Sequence, residues 1–326
     1  MIYIVVFYNI KMKTIAILAL IATAATVYFI TNPVDFRDAN DIEFEKFMAI
    51  YGKSYVTESE LNFRKQVFKS NMEKAKILDE QNPLATFGMT IFSDLTESEM
   101  LSRMGAIDPY KEDNSPYHEG SSAPTKNIDW RSSMNPIQNQ GSCGSCWAFS
   151  ATATFETRAA LKGALSLTKL SEQEVVDCTS PQYGCNGGWM HDAFDYLHTT
   201  KFCTLSSYKY KAVKGSCLDK SCSPTITDTG KKFVAGTEEA LYDALQAGPV
   251  AIALDATTWG SYTGGVVTSC GHSMNHAVVL SGYQVENNAW VIRNSWGPSW
   301  GESGYIRLIY GKNMCNLTYK SSYPTF

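Results

Sequence analysis

Nine cysteines fall within residues 143–315 of this 326-residue chain, and none lies outside that stretch. Because nine is an odd number, at most eight of them can pair within one chain, and one sulfur stays a thiol. Eight paired cysteines and one free thiol are typical of a protein from an oxidising compartment that keeps a single thiol for chemistry. The cysteines therefore predict a cross-linked C-terminal domain with one candidate nucleophile.

The N-terminal end of the chain agrees with an oxidising destination. Two lysines precede the apolar run TIAILALIATAATVYFI, and ATA at residues 22–24 is a pattern that signal peptidase accepts. Residues 1–30 are therefore predicted to be a signal peptide, with Met12 as an alternative start, and any contact with a membrane is expected to be transient. An uncleaved anchor is the alternative, but the run has 17 residues and is rich in Ala and Thr.

Charge and composition exclude some partners. The net charge is −4, yet residues 1–123 carry 12 basic and 17 acidic side chains while residues 124–326 carry 16 and 15. Proteins that bind nucleic acid usually have a basic stripe, and this chain has none, so we expect no nucleic-acid partner. An apolar content of 44 % indicates a globular chain, with an acidic N-terminal part that needs its own explanation.

Residues 41–82 have apolar side chains at helical spacing, including Phe44, Phe47 and Phe63. Farther along, residues 105–127 are rich in Gly, Pro, Ser and Asn, which is typical of an exposed linker that proteases cut. The sequence therefore predicts a helical N-terminal part, joined by a cleavable linker to a domain that begins near Ala123.

Beyond the linker, helical patterns come first and strand patterns dominate later. Ser171 and Glu174 form a capping-box pattern for a short helix that ends near Cys178. Helical spacing also covers residues 189–198 and 238–247. Runs typical of strands follow at 250–254, 277–283, 289–292 and 305–309. Helices before strands favour an α+β fold of two lobes with a cleft between them.

One cysteine lies where a helix is predicted to begin. The run QGSCGSCW at residues 140–147 is followed by apolar residues at helical spacing, which places Cys146 at the helix N-terminus. The positive end of the helix dipole favours thiolate over thiol there, so we expect Cys146 to be reactive. Cys143 and Cys146 also have the spacing of half a zinc site, but no second pair follows at finger spacing. We expect no metal or other cofactor.

A thiolate needs a base, and histidine suits that role near neutral pH. Of the five histidines, His118 falls in the linker, and His191 and His198 lie on a polar helix face, so these three are expected to be surface residues. His276 opens the apolar strand AVVLSGY, whereas His272 lies in the loop before it. A ring on a strand is held more rigidly, and His276 is therefore the preferred base.

A third group must also orient the base. Asn294, in the run RNSWGPSWG, can accept the far ring N–H through its amide oxygen, and Trp296 would keep water away from that bond. An asparagine at a strand end is on its own usually a turn residue. Only its combination with Cys146 and His276 predicts a catalytic site.

Four stretches of the chain closely resemble papain-like cysteine peptidases. They are QGSCGSCWAFS, CNGGW at 185–189, NHAV at 275–278 and RNSWGPSWGESGYIR at 293–307. His276 and Asn294 follow Cys146 by 130 and 148 residues, and these are the separations of the papain signature. The resemblance implies a papain-like two-lobe fold, with a helical left lobe, a β-barrel-like right lobe and a helical inhibitory prosegment in front.

The N-terminal part is similar to the propeptide of the cathepsin L type. The shared positions are Glu60, Arg64, Phe68, Asn71, Gly88, Phe92 and Asp94, and the chain departs from the pattern at Ala75, Asp79 and Thr90. The resemblance implies that residues 31–122 are a propeptide that inhibits its own chain and that residues 123–326 are the peptidase domain. The excess of carboxylates in the N-terminal part would be partly neutralised as the pH falls toward 4, which weakens any charge-based attachment to the peptidase domain. We therefore expect faster self-processing at pH 4–5 than at pH 7.

The resemblance implies specific roles for four residues. Cys146 attacks the peptide carbonyl, His276 acts as base and then as acid, and Asn294 orients His276. Gln140, through its side-chain amide, and the backbone N–H of Cys146 would stabilise the oxyanion. The implied reaction is acyl transfer through a thioester.

Three disulfides are implied in the same way, and they join Cys143 to Cys185, Cys178 to Cys217 and Cys270 to Cys315. Cys203 and Cys222 are not part of the minimal family pattern. They are paired with each other by elimination, and such a bridge over about 19 residues contributes on the order of 3 kcal/mol in the chain-entropy account.

The resemblance also names residues that contact the substrate. Gly187 and Gly188 hold the substrate backbone, and an apolar pocket takes the second residue before the scissile bond. The other candidates for substrate contact are Trp189, Met190, Ala253, Met274, Asn275, Ala277 and Trp296. Lys320 corresponds to the pocket floor, where it narrows the pocket or admits an acidic side chain. Alternatively, its stem packs while its ammonium reaches solvent.

The leading hypothesis is a cysteine endopeptidase made as a zymogen. Residues 188–217 contain no insertion that would block the cleft as an occluding loop does. A catalytically inactive peptide-binding relative and a non-proteolytic Cys-His acyltransferase are the alternatives. The intact catalytic set disfavours the first, and the propeptide-like segment and the CNGG turn disfavour the second.

The expected setting follows from the same features. Protein or peptide substrates are expected, in a lysosome or endosomal vacuole or outside the cell, for a chain that acts as a monomer. Asn316-Leu317-Thr318 is a glycosylation sequon in such a context.

Overall fold

A computed structural model describes residues 39–109, 114–181 and 183–326. The predicted signal peptide at residues 1–30 lies outside the described residues. In the described ranges, every helix is too short or too polar to cross a bilayer. The chain divides into two compact units, residues 1–49 and 50–326. In the first unit, the buried rings of Phe44 and Phe47 stack with centroids 6.0 Å apart.

The described residues form seven α-helices. They are α1 (Ala39–Tyr51), α2 (Glu58–Gln81), α3 (Glu97–Leu101), α4 (Cys146–Leu161), α5 (Glu172–Cys178), α6 (Met190–Thr199) and α7 (Glu238–Leu245). Ser171 caps α5 by accepting the Glu174 N–H at 3.0 Å. The predicted reciprocal bond does not form, because the Glu174 carboxylate accepts the Cys203 N–H at 2.7 Å instead.

Ten strands are described. They are β1 (Ala85–Phe87), β2 (Tyr117–His118), β3 (Ile128–Asp129), β4 (Gly230–Val234), β5 (Val250–Leu254), β6 (Tyr262–Val267), β7 (His276–Gln284), β8 (Ala289–Arg293), β9 (Tyr305–Ile309) and β10 (Ser322–Thr325). The strands are ordered β1-β6-β9-β8-β7-β5-β10-β4-β2, and β3 pairs with β7. The four predicted strands are confirmed as β5, β7, β8 and β9. The other six strands were not predicted. Three of them are only two or three residues long, and β4, β6 and β10 contain lysines, glycines or a proline that weaken a strand pattern.

Two buried clusters make up the two lobes. One surrounds α4 and includes Trp147, Phe155 and Phe194, and the other covers the sheet and includes Trp290 and Leu308. Strand β7 contributes to both clusters at its first residues, so the lobes meet where that strand begins. The predicted α+β class is confirmed.

Residues 50–109, called here the N-terminal segment, are organised around α2. The Arg64 guanidinium makes two bonds to the Glu99 carboxylate, at 2.7 and 2.8 Å. The side-chain amide of Asn71 donates to the carbonyl oxygens of Ser93 and Leu95, at 3.0 and 2.8 Å. These bonds fix the loop before α3 against α2, which explains why Arg64 and Asn71 stand out in the sequence pattern.

The N-terminal segment is built onto the rest of the second unit by strand pairing. Strand β1 pairs antiparallel with β6, with Ala85 opposite Gly265. The predicted exposed linker at 105–127 is wrong in part. Ala106 and Asp108 are each 6 % exposed, and β2 extends the sheet as a parallel neighbour of β4. An extended chain satisfies its backbone polar groups by such pairing, and composition alone does not show this.

Candidate active site

Cys146 is the first residue of α4, and the loop before it is fixed from two sides. A disulfide joins Cys143 to Cys185, and the hydroxyls of Ser145 and Tyr210 lie 2.6 Å apart. Cys146 is the free cysteine of the chain, and its side chain is buried. The sulfur therefore lies at the N-terminus of a helix, as the sequence predicted.

The other eight cysteines form four disulfides. The pairs are Cys143–Cys185, Cys178–Cys217, Cys203–Cys222 and Cys270–Cys315. Three are the pairs that the family resemblance implied, and the fourth is the pair obtained by elimination.

His276 is the first residue of β7, and a short bond fixes its ring. Its Nε2 lies 2.8 Å from Oδ1 of Asn294, and that same oxygen accepts the backbone N–H of Ser295 at 2.8 Å. Since Oδ1 only accepts, Nε2 carries the proton, and Nδ1 keeps its lone pair. The ring of Trp296 covers the imidazole with centroids 4.8 Å apart, as expected for a shield against water. The histidine is thus held in the tautomer that a base requires.

The thiol of Cys146 on one lobe lies against the start of the strand on the other lobe that carries the imidazole of His276. The sulfur of Cys146 accepts the backbone N–H of Ala277, the residue after His276, at 3.4 Å. Among the described residues, Nδ1 of His276 has no hydrogen-bond partner. A lone pair is therefore available on the ring that adjoins the thiol.

Burial favours the neutral form of both groups. Burial raises the pKa of the Cys146 thiol to about 11, although the N–H groups of Ala277 and Gly105 lower it in part. Burial also lowers the pKa of His276 to about 4. The expected depressed thiol pKa is therefore not found, because here the helix dipole competes with complete exclusion of water from the sulfur.

The side-chain amide of Gln140 is hydrogen-bonded at both its nitrogen and its oxygen. Its Nε2 donates to the carbonyl oxygens of Arg103 and Cys143, at 2.7 and 2.8 Å, and its Oε1 accepts the Ser295 hydroxyl at 2.6 Å. The Ser295 bond fixes which end of the amide faces the cleft. One of the two N–H groups therefore donates to a carbonyl of the N-terminal segment, and the other donates to the loop before α4.

Residues 105–107 of the N-terminal segment run through the cleft in an extended conformation. The Gly105 N–H donates to the sulfur of Cys146 at 3.2 Å, and its carbonyl accepts the Gly188 N–H at 2.9 Å. Ile107 N–H donates to the Gly188 carbonyl at 3.0 Å, which makes a parallel bridge centred on Ala106. The segment thus covers the thiol and uses the backbone of Gly188 as a pairing partner.

Gly187, the neighbour of that pairing residue, has a backbone conformation that favours glycine. Its φ is +126°, and a Cβ there would lie 2.3 Å from Cδ1 of Ile107, so that side chain would have to move. Residues with a side chain rarely adopt such a φ, and the two predicted glycines offer a bare backbone edge.

The residues predicted to form the pocket walls lie together beside the extended residues 105–107. Trp189, Met190, Ala253 and Ala277 are buried in one cluster with Ala106 of the N-terminal segment. Met274 is partly buried against the same cluster. The structure thus brings the apolar candidates to one place.

Lys320, which the sequence predicted as the floor of the pocket, has polar partners. Nζ of Lys320 lies 2.6 Å from Oδ2 of Asp108, and the Tyr319 hydroxyl donates to the same oxygen at 2.5 Å. The Lys320 side chain is 38 % exposed, whereas that of Asp108 is 3 % exposed. Sequence reasoning missed Asp108 and Tyr319, because no local pattern shows that these residues meet.

Two other candidates have roles that the sequence did not specify. The Asn275 side chain accepts the Ala256 N–H and donates to Thr257, both at 2.9 Å, while its carbonyl accepts the Ala106 N–H at 3.0 Å. Asn275 therefore meets the cleft through its backbone. The ring of Trp296 packs edge-on against Phe92, with centroids 5.6 Å apart, so it also contacts the N-terminal segment.

Two predictions about polar residues need comment. His191 was expected on the surface but is 5 % exposed, and its Nε2 donates to the Lys320 carbonyl at 2.8 Å. The prediction was wrong because β4 packs on that helix face, with Phe233 4.4 Å from the His191 ring. At the sequon, Asn316 is half-buried and bonded to Asn313 at 3.2 Å.

Comparison with known proteins identifies this arrangement. Residues 124–325 match the family described as papain family cysteine protease, and residues 44–100 match the cathepsin propeptide inhibitor domain (I29). Fruit bromelain of Ananas comosus is 35 % identical over 301 residues, covering 86 % of this chain and 85 % of that protein. Cysteine proteinase 1 of Leishmania pifanoi is 38 % identical over 300 residues, covering 86 % and 83 %.

A solved structure shares the fold of this chain along most of its length. Digestive procathepsin L 3 of Tenebrio molitor larval midgut superposes with a TM-score of 0.78 at 33 % identity, covering 89 % of this chain and 100 % of that chain. That structure is of a procathepsin, in agreement with the two family matches. This chain therefore belongs to the papain family of cysteine proteases and carries a cathepsin-type inhibitory propeptide.

Proposed function

We propose that Cys146, His276, Asn294 and Gln140 are the catalytic residues of a cysteine endopeptidase. The main support is a set of contacts. Asn294 bonds the ring of His276, and the next residue, Ala277, donates its N–H to the sulfur of Cys146, the one free thiol. A nucleophile, a base and a group that orients the base are the parts that covalent acyl transfer needs. Cys146, His276 and Asn294 are side chains of these three kinds, which supports the proposal.

The reaction steps follow from the tautomer of His276. When the cleft is open to substrate, Nδ1 takes the thiol proton and the sulfur attacks the peptide carbonyl carbon. The oxyanion that forms accepts bonds from the Gln140 amide and the Cys146 backbone N–H. As the C–N bond breaks, Nδ1–H protonates the leaving amine, which leaves a thioester. Water then gives a proton to Nδ1 and hydroxide to the acyl carbon. The C–S bond breaks to release the acid product, and the sulfur takes the proton back from Nδ1, which restores the thiol.

The contacts of Arg103 support the assignment of Gln140. Its carbonyl oxygen lies 2.7 Å from Nε2 of Gln140, which is where a developing oxyanion would need a donor. Substrate is proposed to pair with the backbone of Gly188, beside Gly187, and to place its second residue before the scissile bond against Trp189, Met190, Ala253, Met274 and Ala277. Asn275 would contribute its carbonyl, and Trp296 would line the far side.

The propeptide inhibits its own chain, and residues 31–122 are proposed as its extent, with maturation near Ala123. Its release is proposed to be faster at acid pH. The proposed setting is a lysosome or endosomal vacuole or the extracellular space, reached through a signal peptide at residues 1–30 and with a glycan on Asn316. The enzyme is proposed to act as a monomer on proteins or peptides, without a nucleic-acid partner.

A test combines processing and hydrolysis. The full chain is incubated at acid pH with a thiol reductant, and its product is assayed on a fluorogenic dipeptide and labelled with a thiol-directed affinity probe. Cys146→Ser should lose both signals, and His276→Ala should lose hydrolysis. His272→Ala is the matched control, since His272 is an exposed loop histidine and should keep full activity. Hydrolysis that survives Cys146→Ser would contradict the proposal.

A further inference from the structure

Within the part of the chain that the structure describes, two donors bind the carboxylate of Asp108. The Tyr319 hydroxyl and the Lys320 ammonium converge on one oxygen, Oδ2, at 2.5 and 2.6 Å. The Asp108 side chain is 3 % exposed, so this carboxylate is almost fully withdrawn from water. A buried carboxylate is stable only where donors replace its hydration, and here a phenol and a cation supply them.

This carboxylate site belongs to the substrate pocket. Tyr319 packs against the same cluster as Trp189 and Met190, and the ring centroids of Tyr319 and Trp189 are 6.3 Å apart. Lys320 is fixed from behind, since its carbonyl accepts the His191 Nε2–H at 2.8 Å. The pocket therefore has apolar walls and a floor that donates hydrogen bonds and carries positive charge.

The path of the N-terminal segment explains how Asp108 reaches this floor. Ile107 lies over Gly187, and Ala106 lies in the pocket cluster. Side chains alternate along an extended chain, so Asp108 returns to the side that Ala106 faces. An acidic side chain of the inhibitor is thus inserted beside the pocket at the point where Lys320 lies.

We infer that Lys320, with Tyr319, makes the mature enzyme select substrates with an acidic side chain at the second residue before the scissile bond. The inference rests on the proposed function, whose substrate class it narrows. A glutamate would place its methylenes against the apolar walls and its carboxylate on the floor. Asp108 occupies that floor in the zymogen, so the propeptide and the substrate compete for one cation.

The test uses the mature enzyme and three fluorogenic dipeptides that differ only in the second residue before the scissile bond, namely Glu, Gln and Leu. Glutamine has the shape of glutamate without its charge, so the ratio of kcat/KM for Glu to Gln isolates the charge. A charged hydrogen bond at a partly exposed lysine predicts a ratio of about tenfold in favour of Glu. The ratio should fall at high salt and below the pKa of the glutamate.

Variants locate the effect. Lys320→Met keeps the length of the stem and should bring the ratio to about one, and Tyr319→Phe should lower it to an intermediate value. Lys312→Met removes an exposed lysine and should leave the ratio unchanged. A ratio near one in the wild-type enzyme at low salt would overturn the inference even if Lys320→Met does not fold.

The outcomes separate the inference from the function on which it rests. Cleavage of the Leu substrate with no preference for Glu over Gln overturns the inference and leaves the peptidase assignment standing. A preference that Lys320→Met does not reduce also overturns it. Failure to cleave all three peptides would contradict the proposed function itself.

Discussion

A side chain on Gly105 would collide with Gly144, because a Cβ built there lies 1.9 Å from the Gly144 carbonyl oxygen. Gly144 lies two residues before Cys146, the first residue of α4, and Gly105 donates its N–H to the sulfur of Cys146 at 3.2 Å. The absence of a side chain at Gly105 thus allows the N-terminal segment to cover this sulfur. The contact is between two backbones, so neither partner can rotate away.

Gly105→Ala should therefore weaken inhibition. Relieving the collision requires the strand over Cys146 to shift, and a misfit of this kind costs about 1–3 kcal/mol, or roughly tenfold to a hundredfold in inhibition. The measurement is the inhibition constant of the isolated propeptide variant against mature enzyme, together with the rate of self-processing. Gly88→Ala is the matched control, since its Cβ would meet only Thr263 at 3.9 Å. Equal inhibition by both variants would contradict the collision argument.

The reactivity of Cys146 should change sharply when the propeptide leaves. With a thiol pKa of about 11, the thiolate fraction at pH 7 is about one in ten thousand, and the sulfur is also covered. Alkylation of the zymogen by iodoacetamide at pH 7 should thus be at least about a hundredfold slower than that of the mature enzyme. The rate is followed by mass measurement of the labelled Cys146 peptide.

The propeptide provides an internal control for that measurement. Gly105→Ala should speed alkylation of the zymogen at pH 7, whereas Gly88→Ala should not. If zymogen and mature enzyme are alkylated at the same rate, the helix position alone determines the reactivity of Cys146, and burial by Gly105 does not matter.

Features of this site that depend on local sequence could be predicted, whereas contacts between residues far apart in the sequence could not. The sequence predicted that Cys146 begins a helix and that Asn294 accepts the far ring N–H of His276, and both features are found, because each residue lies in a distinctive local motif. The path of residues 103–108 was not predicted, since their contacts join positions far apart in the chain and leave no local pattern. The pKa of Cys146 was missed for the same reason, because it depends on what covers the sulfur.

The Arg64–Glu99 pair should resist acid. The Arg64 bonds, against the opposing effect of burial, lower the pKa of Glu99 to about 2. A depressed carboxylate pKa adds stability that is present above the unfolded value of about 4.3 and is lost as pH falls through 2. Because the Glu99 side chain is 39 % exposed, solvent screening limits the contribution to about 1 kcal/mol or less.

Glu99→Gln in the Cys146→Ser zymogen should therefore lower the melting temperature by a few degrees at pH 7 and nearly as much at pH 5. The difference from the parent should shrink only toward pH 2. Glu97→Gln is the control, because its carboxylate is 70 % exposed and lies 3.8 Å from Lys74. A difference that is already gone at pH 5 would show that Glu99 titrates in the range where processing is proposed, contrary to this prediction.

Acid should instead act through His276. Burial lowers its pKa to about 4, so between the unfolded value of about 6.5 and 4 the unfolded chain binds a proton that the covered site does not. Zymogen stability should therefore fall as pH drops through this window, by about 3 kcal/mol in total from this residue. Denaturant titrations of the Cys146→Ser zymogen at pH 7, 5 and 4 measure the loss, and the same series with His276→Gln should show a smaller one. An unchanged slope in that double variant would exclude His276 as the source and return the acid dependence to the carboxylates of the propeptide.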